Sequence, residues 1–89
     1  MRAVISVIGK DMTGILAKVS TECAEANANV IEVSQTILQD MFAMVMLVDI
    51  QKMDQELTTF AAHMDKAGKE LGMVIHVMHE DIFHAMHRI

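Results

Sequence analysis

The stretch AVISVIGKDMTGIL, residues 3–16, joins an apolar run to a glycine-bounded turn and then to an amphipathic pattern. Residues 3–8 are β-branched and apolar on both faces, which is typical of a central strand. Gly9 and Gly14 bound the turn, in which Asp11 and Thr13 are candidate helix caps. Apolar residues then recur every three or four positions, at Ile15, Leu16, Val19, Cys23 and Ala26. The stretch therefore predicts a strand, a tight turn and a helix.

Two further strands are predicted, across residues 30–38 and 42–50. The first alternates apolar with polar side chains, so one of its faces is half-polar. The second is apolar on both faces, so we expect both faces to be covered. Gln39 and Asp40 form the turn between them, and we expect Asp40 to take the left-handed backbone conformation.

The second half of the chain repeats the pattern. A helix is predicted to begin after Asp54 and Glu56, near the positive end of its dipole, and to end at Gly72. Its expected buried stripe is Leu57, Phe60, Ala61, Met64, Ala67 and Leu71. A strand at 73–78 follows, and the tail from Asp81 has the pattern of a short amphipathic helix.

The predicted order is therefore β-α-β-β-α-β with a tail. Right-handed crossovers place both helices on one face of a four-stranded antiparallel sheet, which is an α+β, ferredoxin-like sandwich. We expect residues 1–80 to form one domain and residues 81–89 a C-terminal tail.

Composition points to self-association. The chain has 89 residues, of which 53% are hydrophobic and only 3% aromatic, and it contains ten methionines. A domain this small has a marginal core and little interior in which to hide apolar surface. Cys23 is the only cysteine, so no disulfide within the chain reinforces the fold. We expect a homodimer or a higher homo-oligomer.

Charge and hydropathy argue against two classes of partner. The net charge is −5, basic residues are scattered, and there is no Tyr or Trp, which disfavours nucleic acid. The longest apolar run, residues 41–48, is far shorter than the roughly 20 residues that span a bilayer. The chain starts directly on a strand-like run without the pattern of a signal peptide, so we expect a cytoplasmic protein with no membrane partner.

Two segments, ISVIGKDMTGIL at 5–16 and ANVI at 28–31, resemble the signature of ACT domains, which are small regulatory modules of ferredoxin-like fold. The resemblance extends to about His79. It is closer to small stand-alone ACT proteins of bacteria and archaea, through IGKD at 8–11 and SQTILQ at 34–39. The N-terminal ACT portion of formyltetrahydrofolate deformylases and the glycine-cleavage regulators are also similar.

The resemblance implies an amino-acid site at a subunit interface, between the first turn of one subunit and the second strand of its neighbour. The implied ligand-binding residues are Lys10, Asp11, Thr13, Gly14, Ile15, Asn29, Val30 and Ile31. Asp11 would contact a ligand amine, the Gly14 and Ile15 amides its carboxylate, and Asn29 would donate and accept. The alternative is structural, with Asp11 as a helix cap, Gly14 allowing close packing and Asn29 serving the turn.

A second hypothesis is a ligand-free protein–protein interaction module. In it the outer sheet face, with methionines such as Met44, Met46 and Met78, docks a partner enzyme or another copy. Alternatively, the tail from Ile82 to Ile89 covers that face within the chain, and no partner docks there.

The histidines suggest a weaker metal-binding alternative. His84 and His87 lie three residues apart on the tail helix and share a face, but a closed zinc site needs about four ligands. We therefore predict no metal and no cofactor. His76 is expected to be buried or at an interface, and His63 to face solvent. Since Cys23 lies on an apolar stripe and no serine has an evident base, we predict that the chain is not an enzyme.

Overall fold

The computed structural model describes residues 1–10 and 14–86, apart from the side chain of Leu38. Its elements are β1 (Arg2–Gly9), α1 (Ile15–Glu25), β2 (Asn29–Leu38), β3 (Met41–Asp49), α2 (Leu57–Leu71), β4 (Val74–His79) and α3 (Glu80–Met86). The four strands form one antiparallel sheet in the order β2-β3-β1-β4. The predicted ferredoxin-like fold, including its tail helix, is confirmed.

The core lies between one face of the sheet and the helices α1 and α2. Alternate residues of β1, β3 and β4 point to this inner face, and the stripes of the two helices pack on them. Its largest fully buried side chains are Phe42, Phe60, Ile5, Ile15, Met44, Met46, Met64, Ile75, Val7, Val19, Val48 and Cys23.

The methionines of β3 lie on the opposite face from the one hypothesised. Met44 and Met46 are fully buried on the inner face, so they are not part of the outer, docking face. That face instead carries Ala43, Val45 and Leu47, and Val45 is 39% exposed, so cover on both faces of β3 is incomplete. Because both faces of β3 are apolar, its sequence does not distinguish the face that the helices cover.

The ends of the two long helices match the expected pattern only in part. Gly14, with φ 73°, precedes α1 and makes no side-chain capping bond, whereas the candidate caps Asp11 and Thr13 lie outside the described residues. Gly72 ends α2 with φ 71°, as predicted. Leu16 and Leu71 were expected in the buried stripes but are exposed, because each lies in a terminal turn at the margin of its stripe.

The turn between β2 and β3 contains one wrong prediction. Gln39, with φ 56°, takes the left-handed conformation that was expected at Asp40. The strands end at Leu38 and resume at Met41, so the turn has two residues and only the first of them carries the positive φ.

Candidate functional site

The implied ligand-binding residues lie at opposite ends of α1. Gly14 and Ile15 lie at its amino end, whereas Asn29, Val30 and Ile31 begin β2, beyond its carboxyl end. The 11 residues of α1 span about 16 Å at roughly 1.5 Å per residue. The structure therefore does not bring the two groups together within one chain.

A cleft of about 760 Å³ opens at the carboxyl end of α1. Its lining residues are Ser20, Ala24, Asn27, Ala28, Asn29, Val30, Asp49, Gln51 and Lys52. Of the predicted site residues that the structure describes, Asn29 and Val30 line the cleft. The others, namely Lys10, Gly14, Ile15 and Ile31, do not, and Asp11 and Thr13 lie outside the described residues.

The cleft combines opposite charges with neutral polar groups. Asp49 and Lys52 supply a carboxylate and an ammonium, and neither forms an ion pair within residues 1–10 and 14–86. The Asp49 Oδ1 accepts a hydrogen bond from the backbone N–H of Gln51 at 2.9 Å. This bond holds the start of the turn that follows β3. The cleft therefore offers one group for a ligand cation and another for a ligand anion.

Asp49, Gln51 and Lys52 were missed from the sequence. Asp49 ends β3 and the other two follow it, about twenty residues from Asn29, and no motif marks them. The signal was the strand register, in which Asn29 is directly opposite Asp49. A register of this kind follows from the paired structure and not from the local pattern.

Besides the cleft, the candidate site has a second feature, which is the open edge of the sheet at β2. Within the described chain, β2 pairs with β3 alone, and every residue from 31 to 37 is exposed. Ile31, Val33 and Ile37 are 48%, 37% and 59% exposed. The strand contains no proline, lysine or arginine, which are residues that protect edges, although a bulge lies between Val30 and Glu32. This edge is open to pairing with another strand.

A polar cluster links α1 to α2. Glu22 is only 8% exposed, the Lys18 Nζ donates to its Oε1 at 3.1 Å, and its Oε2 is hydrogen-bonded to the His63 Nε2. Burial raises the pKa of the Glu22 carboxyl, but the hydrogen bonds and positive charges of Lys18 and His63 outweigh it, so this pKa lies below its ordinary value. The His63 side chain stays 56% exposed, as predicted, but its contact with Glu22 was not foreseen.

We expect Glu22→Gln to lower the free energy of unfolding by about 1–2 kcal/mol near neutral pH, since a charge-assisted bond is lost. The pKa of Glu22 is lower in the folded protein than in the unfolded chain. Its stabilisation is therefore present above the unfolded pKa and lost as the pH falls through the folded one. Urea unfolding across pH 3–7 should show the two proteins converging in acid. Glu70→Gln, on the exposed face of α2, is the matched control, and a difference independent of pH would contradict this origin.

Cys23 and the described histidines do not line the cleft. Burial, followed by the charge of Glu22, raises the pKa of the Cys23 thiol to about 11, which disfavours the reactive thiolate. His76 is exposed in the single chain, so it is not buried as one of its two expectations had it, and its place at an interface stays a prediction. Among the described residues, no group of three His, Cys, Asp or Glu side chains has the geometry of a metal site, and His87 lies outside them. In the same part of the chain, the helices are too short or too polar to cross a membrane.

Comparison with known sequences identifies relatives along the full chain. A family model described as ACT domain matches residues 2–78. A UPF0237 protein of Methanocaldococcus jannaschii is 52% identical over 88 residues, which cover 99% of this chain and 98% of that protein. A UPF0237 protein of Listeria monocytogenes is 45% identical over 89 residues, covering 100% of both chains.

Solved structures share the fold. An ACT domain protein from Streptococcus pneumoniae superposes with a TM-score of 0.83 and 36% identity, over 98% of each chain. A formyltetrahydrofolate deformylase from Pseudomonas syringae gives 0.77 at 23% identity, over 88% of this chain and 27% of the enzyme. A putative glycine cleavage system transcriptional repressor gives 0.67 at 19% identity, over 85% of this chain and 43% of that one. The last two likenesses concern the fold alone.

Proposed function

Because the chain belongs to the ACT domain family, we propose that it is a non-catalytic regulatory protein that binds an amino acid or a related metabolite at a subunit interface. The observation that carries this proposal is the cleft at the carboxyl end of α1, which holds Asp49 and Lys52 without an ion pair between them. A ligand with an ammonium and a carboxylate satisfies both charges. Residues 1–80 carry the site, and the protein acts in the cytoplasm.

The β2 edge supplies the second wall of the site. Antiparallel pairing of β2 with the same strand of a second copy carries the start of one strand towards the end of the other. The residues at the start of β2, Asn29 and Val30, then face the amino end of the partner's α1, where Gly14 and Ile15 lie. This arrangement supports an interface site, because it overcomes the separation of about 16 Å within one chain.

Each group has a definite role in this proposal. Asp49 binds the ligand ammonium and Lys52 binds its carboxylate. The Asn29 side chain donates from its NH2 group to the carboxylate and accepts from the ammonium at its carbonyl oxygen. The amides of Gly14 and Ile15 add donors for the carboxylate from the partner. Binding controls association with another protein if the ligand binds the assembled state more tightly than the free one.

A ligand-free interaction module is the second candidate. The observation that favours it is the apolar β2 edge, where Ile31, Val33 and Ile37 are exposed whether or not the cleft is filled. Ligand binding separates the two candidates.

Titration with the standard L-amino acids, followed through backbone amide chemical shifts, tests the proposed function. We expect at least one to shift the amides of Asn29 and Lys52, and the same compound without its amino or its carboxyl group to bind at least about tenfold more weakly. Lys52→Met and Asp49→Asn should each weaken binding by at least about tenfold, because one charged contact is lost.

Lys66→Met is the matched control, since Lys66 is exposed on α2, outside the cleft, and should leave binding unchanged. If no amino acid shifts these amides while the protein still self-associates, the interaction module is correct and the ligand site is not.

A further inference from the structure

The cleft at the carboxyl end of α1 has four neutral polar side chains besides its two charged ones. They are three carboxamides and one hydroxyl, namely Asn27, Asn29, Gln51 and Ser20. None of these four side chains forms a hydrogen bond within the part of the chain that the structure describes. The other described lining residues are two alanines and a valine. The cleft is therefore richer in free hydrogen-bonding groups than most small-molecule sites, which are lined mainly by apolar side chains.

The polar groups are distributed along the length of the cleft. Asn29 is directly opposite Asp49 in the register of β2 with β3, so it lies beside the charged end. Ser20 lies on α1 four residues before Ala24, which places it about 6 Å further from the carboxyl end of the helix. In a cleft of about 760 Å³, a ligand held at its charged end has room to extend a side chain along α1 towards Ser20.

We propose that the ligand of the cleft is an amino acid with a carboxamide side chain, that is, L-glutamine or L-asparagine. This inference rests on the proposed function, in which the two charged groups of the cleft bind the ammonium and the carboxylate of the ligand. Asn29 serves those two groups, which leaves Ser20, Asn27 and Gln51 for the ligand side chain. A carboxamide has two N–H donors and a carbonyl acceptor, so it pairs with such groups in both directions.

The same chemistry disfavours the other classes of amino acid. A charged side chain would bring a third charge, for which the cleft has no counter-charge once the partner strand covers it. An apolar side chain would cover the hydroxyl and the carboxamides without pairing them, and a site built from hydrogen-bonding groups rejects a ligand that lacks such groups. Serine and threonine are neutral and polar, but their side chains are too short to extend along α1.

Titration of the full chain with matched amino acids, followed through backbone amide chemical shifts, tests the inference. L-Glutamine or L-asparagine should bind at least about tenfold more tightly than L-glutamate, which has the shape of glutamine and one more charge. The same preference should hold over L-methionine, which is similar to glutamine in length but lacks the carboxamide.

Gln51 allows a sharper test, because its side chain can be changed while its backbone contact remains. Its backbone N–H, and not its side chain, donates to the Asp49 Oδ1. Gln51→Lys adds a positive charge to the cleft, so the variant should bind the acidic counterpart, L-glutamate or L-aspartate, more tightly than the amide. Gln55→Lys makes the same change outside the cleft and should keep the wild-type preference.

The inference is overturned if any amino acid without a side-chain carboxamide binds the wild type as tightly as the better of L-glutamine and L-asparagine. It is also overturned if Gln51→Lys keeps the wild-type preference. In both cases the amides of Asn29 and Lys52 still shift, so the proposed function stands and only the ligand class is wrong. If no amino acid shifts those amides, the ligand site itself is wrong and this inference fails with it.

Discussion

Val33→Lys is expected to weaken pairing of the chain through β2 by at least about tenfold. Val33 lies near the middle of the open edge and is 37% exposed in the single chain. Two-fold pairing buries the remaining exposed part of this valine in both copies, which is worth up to about 1 kcal/mol in each. Lysine removes that contribution twice and places two like charges close to the axis. Lysine is also the residue with which natural edge strands resist pairing.

Sedimentation equilibrium over a range of concentrations measures the effect. Thr58→Lys, on the exposed face of α2, adds the same charge away from the edge and should behave as the wild type. An association constant that Val33→Lys does not alter would place the subunit interface elsewhere, and the proposed ligand site would then lose its second wall.

Met46→Ala is expected to lower the free energy of unfolding by about 2–5 kcal/mol, which is the usual cost of emptying a fully enclosed methionine site. Met46 is 0% exposed on the inner face of β3, under the helices. Val45, its neighbour on the outer face, is 39% exposed, and Val45→Ala should cost about 1 kcal/mol or less.

Urea denaturation at low protein concentration gives both values, since dilution limits the contribution of self-association. The pair tests the assignment of the two faces of β3. Equal effects, or a larger effect at Val45, would show that the sheet faces are reversed.

The order of elements follows from the sequence because periodicity is local. Apolar spacing located both long helices, and glycine located the end of α2 at Gly72. The choice of the covered face of β3 depends instead on which of two apolar sets the crossovers place under the helices. For that reason Met44 and Met46 were assigned to the outer face, although they are buried in the core.

The site was predictable only in part, for a similar reason. The family resemblance directed attention to Asn29 and Val30, which do line the cleft. Asp49 and Lys52 reach the same cleft through the pairing of β2 with β3, which no short motif encodes. The contact of His63 with Glu22 likewise joins residues that are 41 positions apart.

Cys23 can report the separation of α1 from the sheet through the reactivity of its thiol. Its thiol is 1% exposed beneath α1, and it is the only cysteine in the sequence. A thiol-modifying reagent reaches it only after α1 has separated from the sheet, so the labelling rate reports the population of the opened state. A ligand or a second copy that holds α1 in place lowers the rate at which the Cys23 thiol is modified. The protein needs no added tag or dye for this measurement.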